Sequence, residues 1–552
     1  MALSPLQLNL KHYTLDEVFN LSGGFDYLVW QPVYMCPNED GSKAQCDSEQ
    51  ACKNKNSYVD WSNQYSLDNW VNDFNLKCTP QSTLSQVTFF FYLGYTFGCF
   101  FIPRFLDLYG RKWPFMLCLI AQLPIYVGII LSKSLYLNMA LSFMIGICTV
   151  GRYNGGYINI SEYVHTKYKN AVSTLLLVAE QLSVIFIVLY FKFISKNWQG
   201  LQIIGVSINF ISIIGCYFLP ESPEQAYSFY DFRKTKQAFR YIAKFNRSKM
   251  DSYYLFDIEG EMKSLRQSIS NKKKLTIDQN IKEKFYSKSI EMQQNLRSSV
   301  RAFIKDRTLV RNLIISIFLW MCTFLGYNIA YGHDNYFPSD QFDNDMANAT
   351  SEIVAFLLAG YIYYKIGARK FFFIFYLVAL LGGILVFVLD QSKYKELDMI
   401  STFVTRFGVA ATYQGVYLAN DLFPTIFAST SFGVCNIFAG LAGALSTQIK
   451  LLEDGPMMIT YLFIILFAVI VSLILVDSKP TSVLVQQQKI QFKQDQEGKS
   501  VMPQEFQEDY TMVEEEDDEN VDDEDIDIDI QINASKGKYK KSNSRAESLD
   551  RT

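Results

Sequence analysis

Apolar side chains in this sequence run together instead of alternating with polar ones. Eleven such runs can be marked: 84–103, 114–132, 135–158, 171–193, 199–219, 311–332, 350–364, 370–390, 398–419, 427–448 and 457–476. Several reach about 20 residues, and at about 1.5 Å per residue that length crosses the hydrocarbon core of a bilayer. A soluble core helix of this length would keep a polar face, and these runs mostly lack one. The pattern predicts an all-α, polytopic membrane protein with eleven spans. Polar stretches divide it into an N-terminal segment and outer loop (1–83), a first helical bundle (84–220), a basic linker (221–310), a second bundle (311–477) and a tail (478–552). The tail includes "VEEEDDENVDDEDIDID", Val513 to Asp529, which cannot bury a core and is expected to be disordered.

Composition sharpens this picture. Apolar residues make up 49%, aromatics 15% and charged residues 19%. The net charge of −4 carries little meaning, because the acidic tail offsets the basic middle. "MALSPLQLNLKHYTLDEVFN" has no basic stretch followed by an apolar one and does not read as a cleavable signal peptide. Arg104, Arg111 and Lys112 flank one short loop, Lys167 and Lys169 a second, and Lys365, Arg369 and Lys370 a third. With the linker, these loops alternate onto one face, which the positive-inside rule makes cytoplasmic. Four of the ten cysteines (Cys36, Cys46, Cys52 and Cys78) fall in the outer segment, where an oxidising compartment suits disulfides. Four cysteines allow three pairings, and the sequence does not choose among them. Asn348, in "NAT", is a candidate glycan acceptor on the same outer face.

The two halves repeat a loop. "DLYGRK" follows the first run, and "YKIGARK" (Tyr364 to Lys370) follows the second run of the second half. Two six-helix halves joined by a long polar linker are the layout of major facilitator transporters. Further fragments narrow the match: "LDNWVNDFNLKC", "PRFLDLYGRK", "GGYINISEYVHTKYKNA", "NWQGLQ", "LPESPE" and "NDLFPT" occur in order between about residue 70 and residue 477. By these motifs the chain resembles the organic cation, anion and carnitine transporter family of the major facilitator superfamily. It departs from the family at Pro103, Leu108, Glu224 and Ala428. The family's first membrane helix should follow "TLDEVFNLSGGFDY", yet the longest uncharged run there is "YLVWQPVYM", too short to cross. A segment missing from the sequence is favoured over a natural eleven-helix transporter.

The resemblance implies a cytoplasmic latch formed by Asp107, Gly110, Arg111, Lys112, Glu162, Arg369 and Asp421. Asp107 would cap a helix N-terminus and accept from neighbouring basic residues, and Gly110 would permit a tight turn. The same likeness sets Glu352, Trp320 and Tyr327 against a substrate cavity. The aromatic pair, two turns apart on one helix face, could hold a cation. Glu180, near the middle of its span, and Gln181 beside it join the candidate site, because a charge within a span is costly unless it serves a purpose. "CNIFAGLAGAL", where cation-transporting relatives carry an acid and anion transporters a base, has Gly440 and no charge. Two acids and two aromatics favour an organic cation or zwitterion.

No phosphate-binding Gly-x4-Gly-Lys-Ser/Thr loop or Cys/His metal pattern occurs, and there are only three histidines. The expectation is a non-enzymatic, monomeric transporter in the plasma membrane. Its partners would be a small organic solute and the lipid bilayer, with no cofactor, metal or nucleic acid. A sugar-type symporter ranks below this, since Asn328 alone supplies an amide in the relevant helix. A non-transporting sensor or scaffold built on the linker and acidic tail is the alternative from a different class.

Overall fold

The computed structural model describes residues 25–37, 43–164, 169–228, 231–245, 307–333, 341–388, 395–423 and 425–476. The acidic tail and most of the basic linker lie outside the described residues. So do the side chains of Asp107 and Asp421 within their elements.

The apolar runs become eleven long helices: α1 (Gln86–Tyr109), α2 (Lys112–Leu131), α3 (Leu135–Tyr163), α4 (Lys169–Leu189), α5 (Trp198–Phe218), α6 (Arg307–His333), α7 (Gln341–Ile366), α8 (Ala368–Val388), α9 (Lys395–Leu418), α10 (Thr425–Ile449) and α11 (Asp454–Ser472). Among the described residues nine spans are long and apolar enough to cross a membrane. The two that fall short are α7 and α9, which carry Glu352 and Arg406 along their length. A short helix, Phe232–Phe245, follows the first bundle.

The halves repeat each other in packing as well as in sequence. α1 and α2 pack on α3 as α7 and α8 pack on α9, and α5 meets α2 as α11 meets α8. The repeated loops both place a glycine at positive φ, Gly110 at 106° and Gly367 at 78°. α6 packs on α9, α10 and α11. The described residues ahead of α1 hold only helices of six residues or fewer, so α6 has no described counterpart in the first half.

Lipid tails are as apolar as leucine, so close backbone approach rather than hydrophobicity holds such helices together. At the α1–α3 crossing a Cβ on Gly94 would fall 2.0 Å from the Phe143 carbonyl oxygen, and one on Gly146 would fall 2.1 Å from that of Phe91. Across the halves, α1 packs on α10 and α4 on α7.

Outside the membrane, β1 (Tyr34–Pro37) pairs antiparallel with β2 (Lys43–Cys46) and β3 (Tyr58–Val59), a small sheet the all-helical expectation did not include. Disulfides join Cys36 to Cys46 and Cys52 to Cys78, one of the three pairings the sequence left open. The buried Asn69 amide donates to the carbonyls of Tyr27 and Trp30, at 2.7 and 2.8 Å, and fixes that segment over the bundle. Phe342, at the start of α7, is inserted among Tyr27, Trp30 and Tyr65, with centroids 5.4–6.5 Å apart. The Tyr27 hydroxyl donates to Asp345 beside it. This clasp explains why α7 starts at Gln341 and not near 350. Asp345 and Asn348 in its first turns are buried against protein. Asn348 is only 6% exposed there, which argues against the glycan expected on it.

Candidate functional site

The inner loop of the first half forms the expected turn with different partners. Glu221 Oε1 accepts the backbone N–H groups of Arg111 and Lys112, at 2.8 and 2.9 Å. A carboxylate there satisfies orphan donors and complements the positive end of α2. That place was expected for Asp107, whose side chain lies outside the described residues. Glu162 accepts from Arg111 Nε at 3.2 Å and from the Ser222 hydroxyl. Lys112 Nζ donates to the carbonyls of Tyr217 and Leu219. Gly110 lies against Glu221, with its Cβ position 2.8 Å from Oε2. These bonds join parts of the first half. Arg369 is exposed at the start of α8, and the Asp421 side chain is outside the described residues. Lys169 pairs with Glu224 at 3.6 Å, which gives the unusual acid after "PESP" a partner.

A second network runs through the middle of the molecule and does join the halves. Gln181 on α4 donates to the Tyr327 hydroxyl at 3.2 Å, and Tyr327 donates to Glu352 Oε2 at 2.6 Å. Glu352 Oε1 faces Arg406 Nη1 at 3.6 Å, with the two side chains 1% and 2% exposed. Four helices, α4, α6, α7 and α9, each contribute one member. Further bonds cross the same seam: Tyr92 to Asn328 at 3.0 Å, Tyr95 to Asn436 at 2.8 Å and Gln414 to Thr174 at 2.5 Å.

Glu180 lies next to this seam. Its Oε1 accepts from the Tyr153 hydroxyl at 2.8 Å, and its Oε2 is buried with no hydrogen-bond partner among the described residues. Tyr95 and Tyr413 are within its electrostatic reach, as is Arg152, whose guanidinium sits 4.8 Å from the Tyr153 ring centroid. Tyr413 stacks on Tyr327 at 4.9 Å. Tyr92, Tyr153, Glu180, Tyr327 and Asn328 are each only half-buried, although each sits well inside its helix. Partial exposure on side chains that bond to one another across the seam marks a hollow between the halves.

Trp320 does not line that hollow. It is 2% exposed and packed against Phe324, Tyr417 and Phe432. With Tyr157, which stacks on Phe432 at 5.7 Å, it builds an aromatic layer one to two turns nearer the basic-loop face. The hollow thus lies between this layer and the outer clasp.

Two residues of the site, Arg406 and Arg152, escaped the sequence reading. Both carried the signal applied to Glu180, a lone charge inside an apolar run. Gly440 also gains a cause. A Cβ there would fall 2.4 Å from Thr96 Oγ1, so in this conformation α1 leaves no room for a charged side chain.

Fold and site together define a polytopic helical membrane protein made of two repeats that face each other across a polar, aromatic hollow. Residues 61–447 match the family model described as Major Facilitator Superfamily, and the chain belongs to that superfamily. It is 22% identical over 409 residues to "Organic cation transporter 1" of Caenorhabditis elegans, covering 72% of this chain and 65% of that protein. It is 23% identical to "Organic cation/carnitine transporter 2" of Homo sapiens, covering 69% of this chain and 63% of that one. The chain thus matches just under two thirds of the length of these relatives. Among solved structures, a xylose transporter of E. coli in a partially occluded inward-open conformation superposes with a TM-score of 0.55. It shares 12% sequence identity over 85% of this chain and 96% of that one, a likeness of fold alone.

Proposed function

We propose that this protein carries small organic cations or zwitterions across the plasma membrane by alternating access, with the two halves tilting about the central hollow. The observation that carries this is the chain Gln181–Tyr327–Glu352–Arg406, two hydrogen bonds followed by an ion pair, which ties α4 of one half to three helices of the other. A link of this kind holds one state and breaks when the halves rock. The superfamily and the organic cation transporters the chain is similar to support the same reading. The sugar alternative loses ground, because the Asn328 amide is already engaged, accepting from Tyr92 and donating to the Phe324 carbonyl at 2.8 Å. The sensor alternative rests on segments outside the described residues.

The test is uptake in cells. Glu352→Gln is expected to reduce uptake of a cationic solute several-fold while surface biotinylation shows undiminished protein. Unchanged uptake removes Glu352 from the working machinery. Glu352→Gln combined with Arg406→Gln keeps a neutral pair and guards against loss through an unpaired buried charge.

A further inference from the structure

The two acids of the hollow are not equivalent. Glu352 is fully buried, hydrogen-bonded at Oε2 by the Tyr327 hydroxyl and ion-paired at Oε1 with Arg406 at 3.6 Å. Its charge is taken up inside the protein. Glu180 is half-buried, gives one oxygen to Tyr153, and keeps the other unbonded among the described residues. A buried acceptor without a donor costs roughly 1–3 kcal/mol, and more when charged. The oxygen is closed off in this conformation, so the donor that would relieve it has to arrive with a ligand as the halves move. Tyr153 donates its hydroxyl to Glu180, and Tyr95 and Tyr413 are within the carboxylate's electrostatic reach; aromatic side chains of this kind suit a cation. The Tyr95 hydroxyl is already engaged as a donor to Asn436.

We propose that Glu180 is the specificity-determining residue of this site, and that its unbonded oxygen selects protonated amines bearing at least one N–H over fully substituted ammonium ions. The inference rests on the transport reading above and deepens it. Attraction to the ring faces does not distinguish the two classes, since both are cations. The distinction lies in the hydrogen bond. An N–H on the cation closes the open valence of the carboxylate, and a quaternary nitrogen brings charge without a donor and leaves the oxygen unsatisfied. Sites built to hydrogen-bond a ligand group reject analogues lacking it more strongly than apolar sites reject a missing methylene. Glu352 takes no part in this choice. It serves the link between the halves.

The experiment uses purified full-length protein in lipid nanodiscs and four radiolabelled probes: 2-phenylethylamine and its N-methyl, N,N-dimethyl and N,N,N-trimethyl derivatives. The first three carry an N–H when protonated, and the last does not. The expected result is a small change in affinity along the first three and a drop of about ten- to hundredfold at the fourth, the range for a hydrogen bond to a charged group. Glu180→Gln is expected to abolish that break, leaving all four weak, and Glu352→Gln to preserve it. A smooth decline with methyl count, equal binding of the trimethyl probe, failure of the wild type to bind the amine, or a break that survives Glu180→Gln overturns the inference. If Glu180→Gln does not fold, Glu180→Asp, which keeps the charge, is expected to retain the break with weaker overall binding, and loss of the break in it overturns the inference too. Uptake into proteoliposomes separates this failure from that of the transport reading. Transport of quaternary or anionic solutes without the amine preference sinks only the inference, whereas no uptake of any organic ion sinks both.

Discussion

Arg406 and Glu352 sit where a bilayer protein can least tolerate a lone charge, each almost without solvent exposure. Removing one partner leaves the other buried and unpaired, which costs about 3–5 kcal/mol. Arg406→Leu is therefore expected to lower the thermal unfolding midpoint of the detergent-solubilised protein sharply. Combining Arg406→Leu with Glu352→Gln should recover most of that loss, because coupled neighbours do not add. Equal destabilisation by single and double variants would show that the two side chains act independently. At this scale the sequence was partly legible. Glu352, Tyr327, Gln181 and Glu180 could be picked out because charged and amide side chains stand out in apolar runs. What the pattern could not show is pairing. Glu352 looked like a free acid until Arg406, 54 positions on, was seen against it. Trp320 shows the opposite failure, since spacing on a helix face says nothing about whether a neighbouring ring covers it.

The inner turn between α1 and α2 belongs to the scale of elements. Gly110 adopts φ 106°, and its Cβ position is occupied by the Glu221 carboxylate that holds the start of α2. Gly110→Ala meets both obstacles and is expected to cost about 1–3 kcal/mol from backbone conformation alone, since φ 106° with ψ 165° is a region that only glycine readily adopts. Displacement of Glu221 would add to that. Glu221→Gln removes the charge and keeps the shape, and a loss of about 0.3–1 kcal/mol is expected from the helix end. Both are measured as shifts in thermal unfolding, and a Gly110→Ala protein as stable as wild type would contradict the turn as described. Glycine, arginine and lysine announced this turn in sequence, but its acceptor lies 110 residues away in "LPESPE", a motif legible only as a resemblance. Helix ends were the least legible feature. The start of α7 reads as a polar loop, because nothing in "QFDNDMAN" reveals that an aromatic clasp will cover it.

Across the whole molecule, the hollow is shut on both sides. The outer closure depends on Phe342, 1% exposed among three rings contributed by the N-terminal segment. Phe342→Ala would remove these contacts from the outward-closed state only, and so shift the population towards an outward-open one. With a cysteine placed at Asn328, a membrane-impermeant thiol reagent added outside is expected to react several-fold faster in the Phe342→Ala background. An unchanged rate would mean the clasp does not gate. The two-bundle plan was legible from the runs, the basic loops and the repeated turn. The clasp was not, because it joins segments more than 300 residues apart. The charges of the hollow carry one more consequence. With all four ionised, Glu180 and Glu352 bear two negative charges and Arg152 and Arg406 two positive ones, so these side chains sum to zero. An empty carrier with neutral walls resets without feeling the voltage, and a monovalent passenger carries the entire charge displaced per cycle. At about 2.3 kcal/mol per 100 mV, an inside-negative potential of that size would sustain about a fiftyfold accumulation of such a cation, with no coupling ion required.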